Sequence, residues 1–312
     1  MAGRAMATTY YVAMTGSDSA PGTQASPFAT LQKAANVAEA GDTVLVADGD
    51  YDTSGSQLIH MTKSGAAGAW ITLQSETPHG AKLDGRNNST TYMIWFSQDN
   101  GGFVRIKDFE IFGFGKIAIN TTGTHDIDIV GNDIHDIGRY CNDSSIGSAA
   151  VYGSNSPNVT IERNVIHDIG RFDPGEEGCE PATTYWETLD HGVYLDGMNN
   201  ASILNNTFFN VQHGWGIQVY SSSGAALSNL LVDGNTFSGA NPNRDGQIVL
   251  AGRMSNSTVS NNVFNAPRNS AIYFSLPIYS YSNIAINNNT VYGAQISATS
   301  PEGITFSGNA IR

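Results

Sequence analysis

The 312-residue sequence predicts an all-β fold, a single-stranded right-handed parallel β-helix whose short coils stack into a solenoid. Two observations predict it. An asparagine followed by an apolar pair recurs at intervals of 20 to 42 residues, and a short alternating strand lies between most successive asparagines. These asparagines are Asn132, Asn164, Asn206, Asn235, Asn262, Asn289 and Asn309. A unit of this length cannot close a core alone, but stacked units can.

Each unit combines a corner with two or three strands. Asparagine at the corner allows one side-chain amide to hydrogen-bond to the next along the stack, and it tolerates left-handed backbone geometry. The strands between the corners alternate in hydrophobicity and are opened or closed by small residues. They read "SAAVYGS", "HGVYLDG", "WGIQVYS", "GQIVLAG", "SAIYFSL" and "EGITFSG".

Composition agrees with such a fold and excludes several classes of function. Charged residues make up 14% of the chain, about half the usual share, whereas glycine is abundant at 34 residues. This composition favours short strands and tight corners over helices. The net charge of −13 argues against a nucleic-acid partner, and no apolar run is long enough to span a membrane.

The N-terminal segment predicts a cap for the stack. A first strand at 10–12 leads into a loop rich in Gly, Ser and Pro, and Pro27 stands near the start of a short amphipathic helix at about 28–38. That helix would cover the open end of the stack and prevent edge pairing. We expect residues 1–9 to be an added leader, with any signal peptide removed, and residues 10–312 to form a single domain.

The opening "YYVAMTGSDSAPGTQASPFATLQKAANVAEAGDTVLVADGDY", together with the repeat, resembles the bacterial polysaccharide-acting members of the pectate-lyase-like superfamily of parallel β-helices. The resemblance covers essentially the whole chain. Few lysines, two cysteines and many N-x-S/T triplets indicate an extracellular or periplasmic protein, and stacked coils usually serve as monomers. The expected partner is a polysaccharide or oligosaccharide. The resemblance does not fix the activity, because this scaffold carries lyases, hydrolases, epimerases and binders.

One nine-residue motif is written twice, as "NDIHDIGRY" at 132–140 and "NVIHDIGRF" at 164–172. When the copies are aligned by their asparagines, His135 and His167 share one coil position, which Phe209 fills in the next coil. This pattern predicts a packing ladder of stacked structural histidines. The partner aspartates Asp136 and Asp168 would fix the ring orientations.

Each copy of the motif is followed by an insertion at the same corner, at 138–148 and 170–190. Long loops on one side of a rigid stack commonly build a cleft wall. Each loop carries one cysteine, Cys141 and Cys179, and stacking would bring the two loops together as neighbours. We predict a disulfide; the alternative is two buried thiols.

Strand alternation predicts an outer sheet face beside these loops. Tyr152, Gln218 and Tyr220 should point outward and bind substrate, together with Trp215 at the corner and Trp186 in the second loop. Aromatic rings beside carboxylates and imidazoles along an elongated face suit a carbohydrate.

The preferred reaction is β-elimination by a lyase on a uronic-acid-containing glycan, which needs a base, an acid and a group that neutralises the carboxylate. The sequence has no lysine after Lys116, which excludes a lysine base on the central coils. The predicted catalytic residues are His191 or His213 as base, Tyr194 as acid with Tyr220 as its alternative, Asp196 nearby, and Arg253 for the carboxylate.

Hard oxygen ligands on the second loop could hold Ca²⁺, and no organic cofactor is expected. The proposed ligands are Asp173, Glu176, Glu177 and Asp190. Two alternatives stay open. One is an inverting glycoside hydrolase that pairs Asp196 with Asp190, Glu176 or Glu177. The other is a non-catalytic β-helix for glycan binding or adhesion.

Overall fold

The computed structural model describes residues 6–97, 101–141, 147–172, 175–180, 189–211, 213–221, 227–239, 246–267, 269–275, 280–298 and 302–312. These residues form three parallel sheets, called sheets A, B and C here, and the chain visits them in the repeating order A, C, B. Strands of successive coils pair in parallel, which is the architecture of a β-helix. The predicted fold class is therefore confirmed.

Each sheet collects strands from successive coils. Sheet A contains β1 (Thr9–Val12), β2 (Thr43–Val46), β5 (Ile71–Ser75), β8 (Gly102–Lys107), β11 (His125–Val130), β14 (Val159–Glu162), β17 (Ser202–Leu204), β20 (Leu227–Ser228), β21 (Leu231–Asp233), β24 (Met254–Ser260), β27 (Tyr281–Asn287) and β30 (Ile304–Ser307). Sheet B contains β4 (Gln57–Met61), β7 (Tyr92–Phe96), β10 (Ile117–Asn120), β13 (Ala149–Ser154), β16 (His191–Asp196), β19 (Ile217–Tyr220), β23 (Gly246–Ala251), β26 (Ser270–Ser275) and β29 (Gln295–Ala298). Sheet C contains β3 (Gly49–Tyr51), β6 (Ala81–Asp84), β9 (Glu110–Phe112), β12 (Asp133–Ile137), β15 (Val165–Ile169), β18 (Thr207–Val211), β22 (Thr236–Ser238), β25 (Val263–Asn265), β28 (Thr290–Tyr292) and β31 (Ala310–Ile311).

The core is a column of apolar side chains between the three sheets. Equivalent positions on neighbouring strands point inward, so that like residues stack along the axis. Phe208, Phe237 and Phe264 form one such column, with ring centroids 4.8 Å apart and planes within 6°. This continuous burial explains how units that are individually too small become stable together.

The predicted asparagine ladder forms the corner between sheets A and C. Asn164 donates its backbone N–H to Oδ1 of Asn206 at 2.9 Å, and its Nδ2 donates to the same oxygen at 3.0 Å. Its Nδ2 also donates to the carbonyl of Ile129 at 2.9 Å, so the buried amide is satisfied on both sides. The left-handed conformation lies on the preceding residue, such as Arg163 or Asn205, and not on the ladder asparagine.

The N-terminal helix α1 spans Leu31–Val37 and is shorter than predicted. Phe28 is still extended, because its N–H donates to the carbonyl of Tyr11 at 2.8 Å. Thr30 is the N-cap and accepts the N–H of Lys33 at 3.1 Å. The helix buries Leu31 together with Ala34 and Ala35, and it packs mainly against β4. Within the described part of the chain, no helix is long and apolar enough to cross a membrane.

Candidate functional site

One row of outward-facing side chains runs across the centre of sheet B. Trp95, Asn120, Tyr152, Tyr194 and Gln218 occupy the same register position on β7, β10, β13, β16 and β19. Parallel strands lie about 4.8 Å apart, so the row is about 19 Å long. We call these five residues the cleft row.

The cleft row forms the floor of a cleft of about 460 Å³. Its other side chains come from the strand entrances of sheet B and from the ends of the two inserted loops, where Ser148 and Leu189 reach the wall. The described lining also contains Tyr92, Lys116, Ile117, Thr122, Gly147, Ala149 and His191. Insertions 138–148 and 170–190 therefore contribute to the wall, as far as their described residues show.

His191 lies at the inner end of this cleft and is only 2% exposed. The backbone N–H of Trp215 donates to its Nδ1 at 3.0 Å, and its ring meets the Tyr194 ring edge-on at 5.1 Å. A nitrogen that accepts a hydrogen bond carries no proton, so the bond assigns the proton of the neutral ring to Nε2. In this arrangement His191 is a hydrogen-bond donor and not the base that the sequence predicted.

Tyr194 and Tyr152 pack edge to face, with ring centroids 5.3 Å apart. Burial, followed by the nearby charge of Asp196, raises the pKa of Tyr194 to about 12 against an opposing hydrogen bond with Gln218. The same two causes raise the pKa of Tyr152. Both phenols are therefore protonated near neutral pH, which suits them to donate protons or hydrogen bonds.

Asp190 is a structural residue and not an accessible ligand. It is fully buried, and its Oδ1 accepts the backbone N–H and the hydroxyl of Ser148, both at 3.0 Å. Its Oδ2 accepts the backbone N–H of Arg171 at 3.1 Å and Nη1 of the same arginine at 3.0 Å. Burial raises the pKa of Asp190, and the Arg171 charge and the hydrogen bonds from Arg171 and Ser148 oppose that rise. The predicted roles of Asp190 as calcium ligand and as hydrolytic carboxylate are therefore wrong.

The described members of the predicted calcium set do not converge. Glu176 pairs with Nη2 of Arg139 at 3.0 Å, whereas Glu177 is exposed and Asp190 is enclosed. Asp173 lies outside the described residues, as does the predicted sugar-binding Trp186. We therefore derive no catalytic step through calcium.

The two cysteines join the inserted loops. Cys141 and Cys179 form a disulfide, with Cα atoms 5.2 Å apart. Arg139 strengthens the same junction, because its guanidinium lies 4.0 Å from the centre of the Phe172 ring. The loop ends are thus fixed at the corner that leads into the cleft.

Several predicted residues lie away from the described cleft lining. His213 is 2% exposed, and its carbonyl accepts the N–H groups of Leu189 and Asp190, so it supports the corner. Trp215 and Tyr220 belong to an apolar cluster around Val249 on later coils. The remaining two, Asp196 and Arg253, differ in exposure: Asp196 is 9% exposed beside the tyrosines, and Arg253 is exposed beyond β23.

The sequence analysis missed Lys116 and Trp95. Lys116 immediately precedes β10, which lies two strands from β16, and it lines the cleft. The absence of lysine after Lys116 therefore does not remove lysine from this cleft. The sequence contained a usable signal for the earlier strands of this sheet, because Ile94 and Ile119 alternate with their neighbours as Val151 does. In the sheet, Ile119 pairs with both Ile94 and Val151.

Three sheets built coil by coil, with a cleft across one sheet face, define this protein as a right-handed parallel β-helix with a candidate carbohydrate site. Residues 10–164 match a family model described as the Pel9A-like right-handed β-helix region, and residues 184–312 match the right-handed β-helix region. The chain belongs to the pectate-lyase-like superfamily of parallel β-helices.

A curated relative is pectate lyase PEL9 of Emericella nidulans, 32% identical over 117 residues. The match covers 36% of this chain and 28% of the relative's length. Among solved structures, an alginate lyase from Paenibacillus sp. str. FPU-7 superposes with a TM-score of 0.69 at 16% identity, covering 97% of this chain and 95% of the other. A protein described as a glycoside hydrolase gives 0.62 at 10% identity, covering 97% of both chains. At these identities the two structures establish the shared fold.

Proposed function

We propose that this protein is an exported polysaccharide-active enzyme, and specifically a lyase that cleaves a uronic-acid-containing glycan by β-elimination. The observation that carries the proposal is that Lys116 lines the same cleft as two tyrosines with raised pKa values, Tyr152 and Tyr194. Relatives described as pectate and alginate lyases support the substrate class. The disulfide between the inserted loops favours an oxidising compartment.

β-Elimination requires a base, an acid and a group that stabilises the carboxylate, and four residues of this cleft fill these three roles. The Lys116 amine accepts the proton α to the uronate carboxylate. Tyr194 donates its phenolic proton to the leaving glycosidic oxygen, a role that its raised pKa favours. His191, through Nε2–H, and the amide of Asn120 hydrogen-bond the carboxylate, whose negative charge grows as the proton leaves. The aromatic ring of Trp95 supports a neighbouring sugar unit.

Hydrolysis by paired carboxylates has weaker support. An inverting hydrolase needs two accessible carboxyl groups on opposite sides of the scissile bond. Asp190 is committed to Arg171 and Ser148, and Asp196 is largely buried against the tyrosine pair. A glycoside hydrolase or a non-catalytic binder therefore becomes an outcome of the test.

The direct test is a product assay on pectate, alginate and glucuronan, each with EDTA and with added CaCl₂. We expect ultraviolet absorbance from an unsaturated uronate product on at least one of them. New reducing ends without that absorbance would move the assignment to hydrolysis, and binding without either product would identify a glycan-binding protein. The EDTA arm also tests the calcium requirement, which stays a prediction.

A residue-level test uses two lysines. Lys116→Met should lower kcat at least about 100-fold, the usual contribution of a general base, with an unchanged unfolding transition. Lys107→Met is the control, because Lys107 lies on sheet A and pairs with Asp108 at 3.1 Å. Wild-type turnover in Lys116→Met would remove Lys116 from the mechanism.

A further inference from the structure

The doubled histidine motif forms a stack on the outer face of sheet C. The His135 and His167 rings lie 4.8 Å apart at 11°, so the predicted packing ladder is confirmed. Phe112 stacks on His135 at 5.3 Å, and Phe209 stacks on His167 at 4.4 Å. The two imidazoles therefore occupy the central rungs of a column whose outer rungs are purely apolar.

These two rungs also gather metal-binding atoms. One ligand atom from each of Asp133, His135 and His167 lies within 4.8 Å of the other two. Asp133 Oδ1 is 3.2 Å from His167 Nε2, and Glu110 Oε1 is 3.6 Å from His135 Nε2. Among the residues that the structure describes, Asp133, His135 and His167 form the one group of three metal-binding side chains close enough to share an ion.

The other nitrogen of each ring is already oriented by a carboxylate. His135 Nδ1 lies 2.7 Å from Asp136 Oδ2, and His167 Nδ1 lies 2.5 Å from Asp168 Oδ2. A carboxylate on one ring nitrogen fixes the ring and directs the other nitrogen toward a metal, and this arrangement is usual at protein metal sites. The "His-Asp" pairs of the repeat thus supply two oriented Nε2 atoms on adjacent coils.

The surroundings include cations as well as anions. Lys82 Nζ lies 3.0 Å from Glu110 Oε2, so Glu110 is shared between a lysine and this cluster. His79 influences Asp133 electrostatically, while its own Nε2 contacts the carbonyl of Gly131 at 2.9 Å. Glu110 is therefore a weaker ligand candidate than Asp133, His135 and His167.

We propose that Asp133, His135 and His167 form a binding site for a divalent transition-metal ion of the Zn²⁺ or Cu²⁺ class, with Glu110 or water completing the coordination. Two imidazoles and a carboxylate are ligands that such ions prefer over Ca²⁺ or Mg²⁺. Tetrahedral Zn–N bonds place ligand atoms about 3.3 Å apart, a separation that Asp133 Oδ1 and His167 Nε2 already have, so the other pairs close by at most about 1.5 Å on binding. Small rotations of these partly exposed side chains supply that movement, and they tilt the rings out of the stack.

The ion would cross-link two adjacent coils on a different sheet from the cleft, because the ligands lie on β12 and β15 of sheet C whereas the cleft lies on sheet B. The inference is independent of the proposed lyase activity. Its expected effect is stabilisation, since an ion that binds only the folded chain raises the unfolding temperature.

The test begins with protein stripped of metal by EDTA and transferred to EDTA-free buffer. Titration with ZnCl₂ should give saturable one-to-one binding by calorimetry and a higher unfolding temperature, whereas CaCl₂ and MgCl₂ should give neither. With CuCl₂, electron paramagnetic resonance should show coupling to two imidazole nitrogens. Absence of saturable Zn²⁺ and Cu²⁺ binding would overturn the proposal.

Variants then locate the ion. His167→Phe keeps an aromatic rung, as Phe209 shows on the next coil, and should weaken Zn²⁺ binding at least about 100-fold. Asp133→Asn should weaken Zn²⁺ binding less than His167→Phe does, because the amide oxygen can still coordinate the ion. His125→Phe is the control, since His125 lies on sheet A against Phe103. Wild-type affinity in a folded His167→Phe protein would show that any bound ion lies elsewhere.

Discussion

The asparagine ladder and the cleft row both run along the stack, one residue per coil, yet they differ in what they repeat. The ladder places the same residue in each coil from Asn132 to Asn309, because each buried amide is satisfied by the next copy. The cleft row changes from Trp95 through Asn120 to Tyr152 at equivalent positions. A position that hydrogen-bonds to the equivalent residue of the next coil must keep the same residue type in every coil. An outward-facing position is free of that requirement, so each coil can contribute a different chemical group to the shared cleft.

Asp190 immediately precedes β16, the strand that carries Tyr194 of the cleft row, and gives the largest expected effect. Asp190→Asn would place an amide N–H group against Arg171 and remove the carboxylate charge that pairs with this buried guanidinium. Breaking one partner of a buried pair costs about 4 kcal/mol of unfolding free energy. Denaturant unfolding measures this loss. A folded variant of unchanged stability with strongly reduced turnover would instead assign Asp190 to the chemistry.

The ladder itself is broken by Asn206→Ala. The backbone N–H and side-chain amide of Asn164 would lose their acceptor, and Asn235 would lose an amide donor to its Oδ1. We expect a loss of about 3 kcal/mol in unfolding free energy, with turnover per folded molecule retained. Asn309→Ala at the last coil is the comparison, because its partly exposed amide can exchange its partners for water. Equal losses in the two variants would contradict this account of the ladder.

The cleft row should respond in the opposite way. Tyr194→Phe removes the proposed proton donor and should lower kcat about 100-fold, which corresponds to about 2.7 kcal/mol of activation free energy. Its unfolding transition should change little, since the ring remains packed against Tyr152. Tyr292→Phe on sheet C is the matched control, because Tyr292 is 40% exposed and far along the stack. Loss of stability without loss of turnover would make Tyr194 a scaffold residue.

The sequence predicted the repeating parts of this comparison better than the variable ones. Identical asparagines and alternating strands predict a stack, and strand alternation correctly placed Tyr152 and Gln218 on the outward face. The coils before Asn132 lack the asparagine marker, so their register could not be aligned, and Lys116 was missed. The burial of Asp190 and the tautomer of His191 arise from contacts across an inserted loop and between adjacent coils, which no local sequence pattern reveals.

Trp95 offers the finest distinction, because it belongs to the cleft row but has no part in the proposed proton transfers. Its ring packs against Tyr92 at 4.9 Å and lines the cleft. Trp95→Ala should raise KM about tenfold, or about 1.4 kcal/mol, with kcat nearly unchanged, since a stacking surface binds ground state and transition state alike. Trp70→Ala is the control, because Trp70 stacks with Arg105 outside the cleft. A fall in kcat as large as that of Tyr194→Phe would mean that Trp95 orients the reacting sugar. The cleft row could then not be divided into residues that only bind the glycan and residues that take part in the reaction.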